Sequence, residues 1–169
     1  MGSWTVSILV AIATVVLVVS GTSWVPDATH KCYSGCPSGF FRHNSSCYVV
    51  PRVLVTWGQA VVYCRALNSE LLTIETEDEQ TFLQKEMLKH HDLNQVFWLA
   101  ASDMLVEGSW RWVRTMSPVL LTFWKPGQPD NQKAVDGIHA QHCAQLNENG
   151  WDDDNCKKKL NFICERPIL

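Results

Sequence analysis

The sequence predicts an α+β domain, and three observations carry that prediction. Two helix-forming segments, each with its own start signal, come early in the chain. Several short apolar or alternating segments of strand length follow them. Between those strands runs an irregular stretch, 125–140, without a convincing period, and structureless stretches that long inside a compact domain are usually functional.

Residues 1–23 stand apart from the fold. Ile8 to Val19 is almost wholly apolar and small residues follow, the pattern of a secretory signal peptide. A membrane anchor is the competing reading, but the run is shorter than the roughly 18 residues a span requires. No Lys or Arg precedes Lys31, which weakens both the signal's n-region and the charge asymmetry an anchor uses. The expected organisation is a signal peptide over 1–23, a short segment over 24–35 and a single domain over 36–166, secreted to the extracellular side.

Composition sets further bounds. A formal net charge of -3 provides no basic footprint for nucleic acid. The run Lys157-Lys158-Lys159 reads as a solvated face. Eight tryptophans argue for a well-filled core. Seven cysteines, at 32, 36, 47, 64, 143, 156 and 164, read in an exported chain as a disulfide framework with one left over. Six cysteines allow fifteen pairings, so spacing alone leaves the connectivity open. None shows the close paired spacing of a zinc site.

Along the chain, 32–48 is turn-rich, broken by Gly35, Pro37 and Gly39. Asn44-Ser45-Ser46 fits the N-glycosylation acceptor pattern on what reads as an exposed turn. Thr56 opens a helix, with Gln59 placed to close a capping box. Trp57, Ala60, Val61, Cys64 and Leu67 recur on one face, and Asn68 terminates it. Thr76 opens a second helix with Glu79 as its box partner. An acidic first turn there complements the helix dipole, and Phe82, Leu83 and Met87 form the buried side. Val96–Ala101 and Trp110–Trp112 then read as strands, as do Cys143–Leu146 and Leu160–Cys164.

The chemistry concentrates in 124–156. Gln128-Pro129-Asp130, Gln141 and Asp152-Asp153 supply carboxylate and amide oxygens from two ends of one segment. Oxygen-only sets of this kind suit a hard cation such as Ca2+, which takes six to eight oxygens in adaptable geometry.

These residues carry a resemblance. CPSGF at 36–40, FWLAAS at 97–102, EGSWRW at 107–112, QPDN at 128–131, WDDDNC at 151–156 and ICE at 163–165 resemble the C-type lectin-like domain in its long form. Within that family the match is to perlucin-like secreted lectins of invertebrates. The resemblance implies the C-type lectin fold: two helices packed on short antiparallel sheets, with a long calcium-binding loop. It implies the pairings Cys36–Cys47, Cys64–Cys164 and Cys143–Cys156, which leave Cys32 as an interchain candidate and a homodimer as the expected assembly.

It also implies one calcium, held by Gln128 and Asp130 on either side of a cis Pro129, by Gln141, and by Asp152 and Asp153, with two vicinal sugar hydroxyls completing the shell. QPD is the galactose-type signature of the family. Two positions depart from its pattern: Gln141 stands where Glu is usual, and Asp152 where Asn is usual. The number of carboxylates is unchanged, but donors and acceptors are exchanged in this second pair as well as in the first. That double exchange makes mannose-type or dual recognition the alternative to galactose or GalNAc. Gln132 occupies the place where galactose binders often carry a stacking aromatic. A second calcium, at Asp103, Glu107 and Asn131, is implied by some relatives, although the remaining acid would fall at His142.

Other readings are weighed on the same residues. Cys143 beside His139 and His142 invites a nucleophile, but a disulfide at Cys143 makes it inert, so no enzyme is expected. His90-His91 reads as a polar helix end. Trp98, Trp110, Trp112, Trp124 and Trp151 read as core. The perlucin resemblance implies a biomineralisation role, with a calcium carbonate matrix as partner, beside glycan recognition in innate immunity. Ice-binding relatives share QPD and WDD but carry more cysteines.

Overall fold

The structure, a computed structural model, describes residues 35–90, 95–132 and 140–168, without the side chains of 87–90. The expected signal peptide, Cys32, the side chains of Met87 and His90, and all of His91 and His139 lie outside the described residues. Among the described residues no helix is long and apolar enough to cross a membrane.

The chain opens with a hairpin, β1 (Phe41–His43) and β2 (Ser46–Val49), turned at Asn44 with φ 47°. Helix α1 (Trp57–Ala66) begins as its sequence predicts. Gln59 N–H reaches the Thr56 hydroxyl at 3.4 Å, while Thr56 N–H donates to the Gln59 side chain at 3.0 Å. Trp57, Ala60, Val61 and Cys64 are buried. Leu67 departs from expectation: it is the C-cap residue and 38 % exposed, because the helix ends one residue earlier and turns its side chain outward. Asn68, with φ 52°, then makes the left-handed turn that Asn tolerates.

After the short β3 (Glu70–Leu71), α2 (Glu77–His90) starts with Glu79 N–H on the Thr76 hydroxyl at 3.2 Å. The expected capping box closes differently. The Glu79 carboxylate accepts from Glu75 N–H at 3.2 Å and from the Tyr48 hydroxyl at 2.6 Å, so it joins the helix to the hairpin. Leu83 is buried and Phe82 half-buried against Phe41, His43 and Tyr48.

The remaining strands are β4 (Phe97–Ser102), β5 (Arg111–Trp112), β6 (Cys143–Asn147), β7 (Gly150–Asp154), β8 (Asn161–Phe162) and β9 (Cys164–Pro167). One sheet has the order β1-β2-β9-β3 and the other β5-β4-β6-β7, both antiparallel along these paths. The segment read as one strand, Leu160–Cys164, divides into β8 and β9, which join different sheets. β8 runs parallel to β4, the exception to the antiparallel expectation.

The core lies between helices and sheets and includes Trp98, Trp151, Phe97, Phe162, Leu99 and Ile163, each at most 1 % exposed. Trp110 and Trp112 are buried and Trp124 is half-buried against the same core. Disulfides join Cys36–Cys47, Cys64–Cys164 and Cys143–Cys156. The second closes a separation of 100 residues, worth about 4–5 kcal/mol in the chain-entropy account.

Candidate functional site

β7 positions the site. Its pairing with β6 sets Ala144 opposite Asp153 and Gln145 opposite Asp152, and Cys143–Cys156 closes the pair. The long loop is sewn to the same strand from its other end: Trp151 N–H donates to Phe123 C=O at 2.7 Å, and Lys125 N–H to Trp151 C=O at 2.9 Å. Gly150 makes this approach feasible. At φ 122°, any Cβ there would lie 2.6 Å from the Phe123 carbonyl oxygen.

Four of the five expected ligands meet through backbone amides of the loop. The Gln128–Pro129 bond is cis. Asp130 N–H donates to the Gln128 side chain at 2.9 Å and to Asp153 Oδ1 at 3.1 Å, while Asn131 N–H donates to Asp153 Oδ2 at 2.8 Å. Gln132 N–H lies between Asp130 Oδ1, at 3.1 Å, and Gln141 Oε1, at 2.8 Å. Asn131, at φ 45°, accepts from Gln141 N–H at 3.0 Å, which ties the two ends of the loop together.

The three consecutive aspartates of β7 have three different surroundings. Asp152 takes Lys125 Nζ at 2.8 Å. Asp154 takes Lys158 Nζ at 2.6 Å, so the lysine run is partly engaged in pairing and is not wholly a solvated face. Asp153, 1 % exposed, has no cation acting on it among the described residues. Burial pushes its carboxyl above the usual range; the amides of Asp130, Asn131 and its own backbone offset part of that, and the Asp130 charge adds to it. An uncompensated buried carboxylate beside a second one is costly, and a hard divalent ion in this oxygen set relieves it. The donors present therefore fit calcium.

Lys125 is the residue sequence reasoning missed. The signal was available in part: it is the one cation between Trp124 and Gln132. Its partner becomes evident only from the parallel bridge Trp124↔Trp151, which sets 125 alongside 152.

The residues of the expected second ion lie elsewhere. Asp103 is buried, takes Gly108 N–H on Oδ2 at 2.8 Å, and faces His142 Nδ1 with Oδ1 at 3.0 Å. Glu107 Oε2 lies 3.5 Å from the same nitrogen. Asn131 is turned to Gln141. Asn44 is held on its exposed turn by Asp78 Oδ2 at 2.9 Å. Cys143, bonded to Cys156, has no thiol to act as a nucleophile.

Residues 53–166 match the model of the Lectin C-type domain. The chain is 36% identical over 140 residues to perlucin of Haliotis laevigata, across 78% of this chain and 83% of that protein. It is 36% identical over 132 residues to C-type lectin domain family 17, member A, of Homo sapiens, with 78% of this chain matched. It spans only 32% of that relative's length. The human scavenger receptor C-type lectin carbohydrate-recognition domain superposes with TM-score 0.70 at 30% identity, over 79% of this chain and 99% of that one. The cow C-type carbohydrate-recognition domain of CD23, determined in the presence of GlcNAc2Man3 oligosaccharide, gives 0.68 at 25% identity, over 80% and 98%. On fold and sequence alike, this chain belongs to the C-type lectin domain family, a family of binding proteins, and is similar to perlucin.

Proposed function

We propose that the domain, spanning 36–166 and exported after loss of 1–23, binds glycans through one calcium ion. Gln128, Asp130, Gln141, Asp152 and Asp153 hold that ion in this reading. When bound it supplies the positive centre on which two neighbouring sugar hydroxyls sit. The observation that carries the reading is Asp153, a fully buried carboxylate whose partners among the described residues are backbone N–H groups, with no cation among them. Each site oxygen that accepts one N–H retains a further lone pair for an ion. The QPD motif supports galactose or GalNAc as the sugar.

The exchanged pair Gln141 and Asp152 supports mannose-type or dual recognition as the alternative. Gln132 N–H occupies Gln141 Oε1, which leaves the amide NH2 as the group offered outward, a donor where a family Glu only accepts. A glycan array run in calcium and repeated in chelator tests the reading. Binding in calcium alone, competed by free galactose or mannose, is the expected result. Chelator-insensitive binding, or none by an ordered protein, contradicts it.

The identity to perlucin over most of its length favours a second reading, in which the same domain serves a calcium carbonate matrix and Cys32 joins two copies. Expression in mantle supports that role, and expression in haemocytes supports defence.

A further inference from the structure

A second cluster, outside the glycan site, brings a nitrogen together with two carboxylates. His142 Nδ1 lies 3.0 Å from Asp103 Oδ1 and 3.5 Å from Glu107 Oε2, and one ligand atom from each of the three falls within 4.8 Å of the others. Asp103 is the fixed member. Its side chain is 1% exposed, its Oδ2 is held by Gly108 N–H at 2.8 Å, and its own N–H donates to the His142 carbonyl at 3.2 Å. The strand end that carries His142 and the turn that carries Asp103 are thus locked together, with Oδ1 left facing the imidazole. Glu107, at 56% side-chain exposure, stands on the solvent side, where an ion enters.

The geometry points to a binding site for a borderline divalent transition metal of the zinc class at Asp103, Glu107 and His142, in place of a second calcium. The chemistry of the donors decides between the two ions. Calcium takes oxygen, in sixfold or higher coordination, and an imidazole nitrogen at the centre of a three-residue set removes one of few oxygens. Zinc binds His nitrogen and carboxylate oxygen alike, at about 2.0–2.2 Å. A tetrahedron of that radius has edges of about 3.3 Å, and the 3.0 and 3.5 Å separations bracket it. Three protein ligands leave a fourth position for water. The Gly108 N–H on the far oxygen of Asp103 is the outer hydrogen bond that orients a metal-bound carboxylate.

This inference does not rest on the calcium reading of the loop, and the test keeps them separate. The full-length secreted protein, saturated with calcium, is titrated with zinc chloride by calorimetry and with cobalt(II) by visible absorption. One equivalent of zinc in addition to bound calcium is expected, together with cobalt d–d bands of low coordination number. His142→Asn should weaken that equivalent at least about tenfold, the lower bound set by losses at mere outer-shell partners, while calcium uptake at the loop is unchanged. Glu107→Gln, on the exposed ligand, should weaken it in the same direction without unfolding risk. His142→Asp should exchange the preference, losing zinc and gaining a further calcium. The proposal is overturned if the folded wild type takes up no zinc, if excess calcium displaces it, or if His142→Asn retains the same stoichiometry and affinity.

Discussion

Lys125 Nζ lies 2.8 Å from Asp152 Oδ2, so this aspartate of β7 comes with its own cation. The number of carboxylates near the loop is therefore a poor guide to the field an ion meets. Asp152 is partly neutralised, while Asp130 and Asp153 have no lysine or arginine at hydrogen-bond distance among the described residues. Lys125→Met should raise calcium affinity, by up to about fivefold, the range of a half-exposed ion pair. Calorimetry decides the sign, and a fall in affinity would mean that Lys125 orients Asp152 for the ion.

Asp153→Asn should lower calcium affinity by at least about tenfold and abolish glycan binding. The ion-free fold should change by no more than about 1 kcal/mol. Loss of a desolvated charge offsets the placing of an NH2 against the Asp130 and Asn131 amides. Asp130→Asn should behave alike toward the ion. Thermal melts with and without calcium check both, since an ion that binds only the folded state raises the melting temperature.

Specificity can be read from the second pair. The double variant Gln141→Glu with Asp152→Asn restores the usual acceptor and donor there. It should shift competition toward galactose and away from mannose by about 1–3 kcal/mol, the cost of mispaired polar groups in a site. Unaltered selectivity would show that the second pair takes no part in sugar choice.

Gly150→Ala should destabilise the domain by about 1–3 kcal/mol. The added methyl meets the Phe123 carbonyl oxygen at 2.6 Å, at a φ of 122° that side chains rarely adopt. The Phe123–Trp151 and Lys125–Trp151 hydrogen bonds should loosen together, so calcium affinity is expected to fall with the melting temperature.

Glu165 gives a pH signature remote from the site. Burial pushes its carboxyl up from the ordinary value of 4.5, the Ser46 hydroxyl at 2.7 Å offsets part of this, and the Glu79 charge adds to it. As pH falls from neutrality, the folded chain takes up this proton before the unfolded one does. Its contribution to stability therefore rises through the folded pKa and levels off below the unfolded one. Glu165→Gln should be as stable as wild type or more so at pH 7, by about 1 kcal/mol at most. The difference should vanish toward pH 4, as measured by denaturant melts across that range.

Much of this was legible in the residues, and the reasons differ by element. The two helices announce themselves through Thr56 with Gln59 and through Thr76, because capping is local chemistry. β7 does not. Gly150-Trp151-Asp152-Asp153-Asp154 lacks the branched and aromatic run that marks a strand, and its extended form comes from pairing with β6 along all five residues. Leu67 fits a helical face by spacing, yet it lies at the C-cap, where the helix phase no longer holds. The five oxygen-bearing residues proposed as ligands were readable as a set of residue types. The coupling of four of them through the N–H groups of Asp130, Asn131 and Gln132 was not, since backbone donors have no sequence signature.

The first sheet also has a practical bearing. Ser46 lies opposite Pro167, and Ile168 N–H donates to Ser45 C=O at 2.7 Å, so the described domain begins and finishes side by side. None of the five residues proposed as ligands sits on that sheet. A tether, a fluorophore or a second copy fused at either terminus would attach beside strands that carry none of the proposed ligands, which makes the domain suited to display in clusters.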